Sequence, residues 1–230
     1  MTVSLIQKTK SAHASPVVGG VWALCVLALF SCAPLYAQAE YIESFDADIA
    51  VHKDATFAVT EDIEYVFTED KHGIFRCIPT LHQEKASSFF KERYIDIVVT
   101  DILMDGNDVP YTIDQSGDEL CVKIGDPDHT VSGQHEYKIS YVVGGGISYQ
   151  SFGGAELYWN VTGNEWEVLM RTASARVSSP EGILMRERAC YRGLIGKSDS
   201  CENTTNADGS VSFRGSILNP YEGVTIAQAI

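Results

Sequence analysis

The strict alternation of apolar and polar side chains constrains this chain more than any other property. Phe45, Ala47, Ile49 and Val51 recur at every second position, and after Lys53-Asp54-Ala55 the pattern resumes in Phe57, Val59, Ile63, Tyr65 and Phe67. A strand turns successive side chains to opposite faces, so this period buries one face and wets the other. On a helix the same residues would be scattered around the axis. The two runs predict a hairpin that turns at 53–55. The same signature marks 94–104, 111–113, 120–124, 137–143, 157–161, 166–170, 174–177, 211–214 and 224–227, with Asp105-Gly106-Asn107-Asp108 as a turn whose side chains cap their own backbone. Roughly ten short strands at this spacing predict a mainly β chain, an antiparallel β-sandwich of the immunoglobulin-like class. Helical signal is confined to 83–93, where Glu84, Lys85 and Ala86 favour one short helix; no long amphipathic stripe follows.

The amino terminus has a different character. Lys8 and Lys10 precede an apolar run over 17–30, which leads to Ala37-Gln38-Ala39, the small-x-small pattern a signal peptidase accepts. Residues 1–39 are therefore expected to be an export signal, and 40–230 the extracytoplasmic β-sandwich domain. The apolar run, bracketed by Pro16 and Pro34, is shorter than the roughly 20 residues a membrane span needs. Cys32 follows Phe30 and Ser31, and the bulky ring makes this a poor lipidation site. The formal charge of the chain is −14; without Lys8 and Lys10 it becomes −16, from 15 basic and 31 acidic side chains. A surface of that sign repels nucleic acid, whose binders cluster Lys and Arg to displace phosphate counterions.

Four cysteines, Cys77, Cys121, Cys190 and Cys201, lie beyond the expected cleavage point, and an even number in an exported chain reads as disulfides. Cys190 and Cys201 flank a Gly-containing loop and are the favoured pair, which leaves Cys77 and Cys121 by elimination; four cysteines still allow three connectivities. No Cys-x-x-Cys or His-x-x-x-His spacing supports a metal, and the Asp105 to Asp108 and Asp126 to Asp128 clusters read better as hairpin turns than as calcium sites. The Gly144-Gly145-Gly146 run has no following Gly-Lys-Ser/Thr, so it is a loop and not a phosphate cradle. No cofactor is implied and no catalytic nucleophile is named, save a weak thiol reading of Cys77 with His72 or His82 as base.

Two short motifs carry the candidate site residues. In His72-Gly73-Ile74-Phe75-Arg76-Cys77-Ile78-Pro79, His72 can titrate and Arg76 can clamp a carboxylate or phosphate; the alternative is that Gly73 and Pro79 shape a strand crossing while Arg76 pairs with a buried Glu61 or Glu64. In Glu156 to Val168, strand alternation puts Leu157, Trp159 and Val161 on one face and Tyr158 and Asn160 on the other. Trp159 is then expected in the core, with Tyr158 at the surface; Gly163 and Trp166 complete the motif. Asn160 also opens a glycosylation sequon with Thr162.

These motifs, taken in order with Ile124-Gly125-Asp126-Pro127-Asp128 and Leu218-Asn219-Pro220-Tyr221-Glu222-Gly223, resemble the N-terminal region of the YciQ-like predicted membrane proteins, a family described only as a domain of unknown function. The resemblance implies an extracytoplasmic β-sandwich, followed in full-length members by transmembrane helices and often a Gly-rich tail. On that basis the chain, which stops at Ile230, is expected to be a truncated piece. It departs from the family pattern at Cys77, where Cys is unusual, and at Ala55, where a turn Gly is commoner. The functional expectation is a non-catalytic, membrane-associated module that contacts a membrane or envelope protein partner. The alternative is a glycan or small-ligand binding module using Tyr158, Arg76 and the 144–154 loop.

Overall fold

Period-two patterning decides which side of each strand meets the core, and strands supply the regular structure of the described residues. The computed structural model describes residues 39–86, 89–149, 154–181, 183, 185, 187–197 and 199–230, with 82–92 and 116 described by backbone alone. The expected export signal lies outside this set apart from Ala39. In chain order the strands are β1 (Tyr41–Val51), β2 (Phe57–Lys71), β3 (Ile74–Pro79), β4 (Leu81–Ala86), β5 (Phe89–Tyr94), β6 (Asp96–Met104), β7 (Asn107–Asp108), β8 (Tyr111–Ser116), β9 (Glu119–Ile124), β10 (Val131–Gly144), β11 (Ile147–Tyr149), β12 (Ala155–Asn160), β13 (Leu169–Ser178), β14 (Arg188–Gly193), β15 (Asp199–Ser200), β16 (Glu202–Thr205), β17 (Val211–Leu218) and β18 (Gly223–Ala229).

Eight strands form the largest sheet, in the order β16-β17-β13-β1-β2-β10-β6-β7. A five-stranded sheet, β11-β12-β18-β14-β15, and a three-stranded one, β3-β9-β8, accompany it. Neighbours are antiparallel except β1 and β13, which run parallel from Tyr41↔Leu169 to Ala50↔Ser178. The core fills the space between the large sheet and the two smaller ones, as in a sandwich. Ile42, Phe45, Ala47, Ile49 and Val51 of β1, Phe57 to Phe67 on the inner face of β2, and Tyr137, Ile139, Tyr141 and Val143 of β10 are buried from one side. Leu157 and Trp159 of β12, Val224 and Ile226 of β18, and Ile74, Ile78, Leu120, Val122 and Ile124 of β3 and β9 are buried from the other. Trp159 meets Phe57 edge-on at 5.1 Å between ring centroids, and Trp166 meets Phe45 at 6.5 Å, so the tryptophans join the layers. Burying each large apolar side chain contributes about 1.5–3 kcal/mol.

Two local expectations are corrected, and the start of the first strand is added. Residues 83–93 form no helix: β4 and β5 pair antiparallel from Leu81↔Tyr94 to Ala86↔Phe89. Three good helix formers are a weak preference, whereas aromatic residues at Phe89, Phe90 and Tyr94 favour a pleated ladder that satisfies the backbone without an amphipathic stripe. The segments 166–170 and 174–177 are not two strands, because β13 runs unbroken over Leu169–Ser178 and Trp166 lies before it. A register shift between Ile42 and Ser44 puts both Ile42 and Phe45 on the inner face, so β1 starts at Tyr41, four residues before the alternation that begins at Phe45.

Candidate functional site

The His72 to Pro79 motif builds the inner face of β3, where alternation turns Ile74, Arg76 and Ile78 inward. Just before it, the chain crosses its neighbour at very short range. A Cβ on Gly73 would stand 1.9 Å from the Ile124 carbonyl oxygen, and one on Gly125 would stand 1.7 Å from that of His72, so only glycine fits this crossing. Arg76 is then carried into the core at 1% exposure. Its Nε and Nη2 donate to the two carboxylate oxygens of Glu61 on β2, each at 2.7 Å. Nη1 donates to the carbonyls of Cys77 at 2.6 Å and Thr162 at 3.0 Å, and Nη2 also to that of Val161 at 2.9 Å. All five guanidinium hydrogens are thereby used. Tyr141 donates its hydroxyl to Glu61 at 2.6 Å, and the Trp166 indole N–H reaches the Thr162 carbonyl at 2.8 Å. Desolvation pushes the Arg76 pKa down, but the Glu61 carboxylate outweighs it and holds the group above its usual value. Burial, then the same carboxylate, pushes the Tyr141 phenol well up.

Arg76 is thus an interior lock between layers, and of the two acids weighed in sequence its partner is Glu61. Gly163 belongs to the same lock. At φ 74°, a Cβ there would stand 2.8 Å from Arg76 Nη1, so the backbone can approach the guanidinium only as glycine. Asn160 shapes the turn that brings Gly163 in, accepting from its amide at 3.1 Å and donating to Asn164 at 2.8 Å. Trp159 is core, at 1% exposure. Tyr158 lies on the opposite, outer face of β12 at 45% exposure, so Arg76 and Tyr158 share no surface. His72 is exposed, its Nδ1 3.1 Å from the carbonyl oxygens of Asp126 and His129. Pro79 closes β3.

Both disulfides form: Cys77 with Cys121, directly opposite on β3 and β9, and Cys190 with Cys201. One trio of described residues, Cys77, Glu119 and Cys121, brings metal-ligating atom types together, and both its sulfurs are bonded to each other. The Asp105 and Asp126 clusters serve turns. Asp105 accepts from the Glu136 amide at 2.9 Å and pairs with His135 at 2.7 Å, while Asp126 accepts from the Asp128 amide at 2.8 Å.

What sequence reasoning missed is the outer face of the large sheet. Cross-strand register lines up one polar row of Glu202, Arg214, Ser174, Asp46, Asp62 and Lys138, and beside it a second of Thr204, Ser212, Arg176, Asp48, Thr60 and Ser140. At the β13-β17-β16 end these residues line a groove of about 480 Å³. Most of the charges on the face are matched. Lys138 meets Asp62 at 2.9 Å, and Arg176 pairs with Asp48 at 3.4 Å and with Asp208. Hydrogen bonds from the Ser210 hydroxyl and amide, then the Arg176 guanidinium, lower the Asp208 carboxyl to about 2. The Arg214 guanidinium makes no hydrogen bond or ion pair with another described residue. The signal lay in the residues skipped by the apolar alternation, but pairing them into rows requires the register.

Residues 41–230 match the family described as predicted membrane protein (DUF2207), N-terminal domain. The chain belongs to that family. No curated protein matches the sequence. Among solved structures, the DUF2207 domain is similar to native yeast LTA4 hydrolase, at 12% identity and a TM-score of 0.49, over 90% of this chain and 32% of that one. It is also similar to the M1 zinc metallopeptidase of Deinococcus radiodurans, at 10% identity and a TM-score of 0.42, over 82% of this chain and 42% of the other. The chain therefore spans less than half the length of either enzyme. No helix among the described residues is long and apolar enough to cross a membrane. The two disulfides fit an oxidising compartment.

Proposed function

We propose that this DUF2207 domain is a non-catalytic, extracytoplasmic contact module, and that it binds a carboxylate-bearing polar envelope component in the groove on the large sheet. Arg214 carries this reading. It is a guanidinium without an internal partner among the described residues, set among the Ser174, Ser212 and Thr204 hydroxyls. A planar guanidinium takes a carboxylate through two parallel hydrogen bonds, and the hydroxyls suit the remaining polar atoms of a saccharide. Arg176 also lines the groove, but Asp48 and Asp208 match its charge and Glu202 stands opposite Arg214, so the pull on a carboxylate comes from the hydrogen-bonding fork of Arg214 and not from net charge. The acidic remainder is left to face a membrane or envelope protein partner.

The test is titration of the isotope-labelled full chain with an oligoglucuronate. Amide shifts are expected at Ser174, Arg176, Thr204 and Ser212, and Arg214→Ala should weaken binding by at least about ten-fold, or about 1.4 kcal/mol. Tyr158→Ala should leave binding unchanged. Loss of binding with Tyr158→Ala but not with Arg214→Ala would place the ligand on the five-stranded sheet and overturn this reading.

A further inference from the structure

β8 is the outer strand of the three-stranded sheet, and residues 111–115 are all exposed. β9 occupies one side of it, from Tyr111↔Ile124 to Ser116↔Glu119; no described strand pairs with the other. In an antiparallel pair, alternate residues turn both backbone groups toward the partner and the intervening ones turn theirs away. The two-residue turn at Gly117 and Asp118 makes Ser116 and Glu119 the first bonded pair. Thr112 and Asp114 therefore face β9, and the N–H and C=O groups of Tyr111, Ile113 and Gln115 point outward as an unfinished ladder.

The margins of the two larger sheets are short, and the six-residue margins β3, β4 and β5 each carry a proline or a lysine. β7 and β15 have two residues, β11 three and β16 four, which is one way sheets avoid pairing with foreign strands. β8 has six, with neither proline nor lysine. Its inner face also continues the core. Tyr111 stands opposite buried Ile124 and Ile113 opposite buried Val122, yet the two are 43% and 46% exposed. Acidic side chains outnumber basic ones around this edge: Asp108, Asp114, Asp118 and Glu119 lie near it, against Lys123 opposite Thr112.

We propose that β8 accepts an extended strand from a partner polypeptide, one with apolar side chains at alternate positions over Tyr111 and Ile113 and Lys or Arg at the intervening ones. Main-chain bonds to Tyr111, Ile113 and Gln115 supply the attachment, and the alternating side chains set the register. The acidic surroundings select a basic strand. A second copy of this chain would bring its own Asp114 and its own net negative charge to the edge, which opposes self-pairing. This edge is separate from the groove, so either reading can fail alone.

The test is amide exchange in the full chain with a blocked peptide of about eight residues alternating valine and lysine. The Tyr111, Ile113 and Gln115 amides should exchange about ten-fold more slowly with the peptide bound, with little change at Thr112 and Asp114. Ile113→Pro removes one outward donor without touching the bonds to β9, and should abolish the effect. A peptide of the same sequence, N-methylated along its pairing edge, should also have no effect. Unchanged exchange at the three amides would overturn the proposal, as would equal slowing by the N-methylated peptide. So would a concentration-dependent dimer that protects the same amides without peptide.

Discussion

A buried guanidinium is tolerable only if every hydrogen it carries finds an acceptor, and Arg76 meets that demand with one carboxylate and three carbonyls. Removing the acid alone strands the charge. Glu61→Gln is therefore expected to cost about 3–5 kcal/mol in urea denaturation, while the double variant Glu61→Leu, Arg76→Met lies nearer the wild type than either single change does. A quieter residue effect sits in the β1–β2 turn, where Ala55 adopts φ 63°. A Cβ in that left-handed region costs about 1–2 kcal/mol, so Ala55→Gly should stabilise the domain by about 1 kcal/mol, measured as a raised denaturation midpoint. Sequence made part of this legible. A charged residue on the alternating inner face of β3 pointed to a buried pair with Glu61 or Glu64, and the structure selects Glu61, the one in phase with Val59 and Ile63. The carbonyls of Val161 and Thr162 come from a turn about 85 residues away and leave no local trace.

At the level of elements, the two disulfides hold different spans of chain. Cys190 and Cys201 are 11 residues apart and close a local hairpin; Cys77 and Cys121 are 44 apart and tie β3 to β9. Chain-entropy arguments give about 3 kcal/mol for the shorter loop and about 4 kcal/mol for the longer. Replacing Cys77 and Cys121 together by Ala should therefore lower stability more than replacing Cys190 and Cys201, as guanidinium denaturation of the oxidised variants would show. Strands with clean alternation, β1 from Phe45, β2, β9 and β12, were readable because one face is wetter than the other. β14 and β16 were not, since Arg188 to Gly193 and Glu202 to Thr205 carry few apolar residues and take strand form from pairing with β18 and β17. The helix expected at 83–93 failed for the same reason: pairing outweighed a local preference.

For the molecule as a whole, acids outnumber bases, and register brings Asp46 of β1 directly opposite Asp62 of β2 on the outer face. Added salt screens that repulsion. Raising sodium chloride from about 10 to about 200 mM should lift the melting temperature by roughly 2–4 °C, about 1 kcal/mol for a domain of this size. Fold class was visible from sequence at this scale, but the order of strands was not, because alternation says which face a residue takes and nothing about its neighbour. The parallel pairing of β1 with β13 also sets a timetable. β1 is among the first strands made, but it sits inside the sheet between β2 and a strand that begins at Leu169. At roughly 5–20 residues per second, a ribosome takes about 6–25 seconds to cover that interval. Until it does, the middle of the largest sheet is a raw edge, and a chain interrupted before Ser178 has no way to close it.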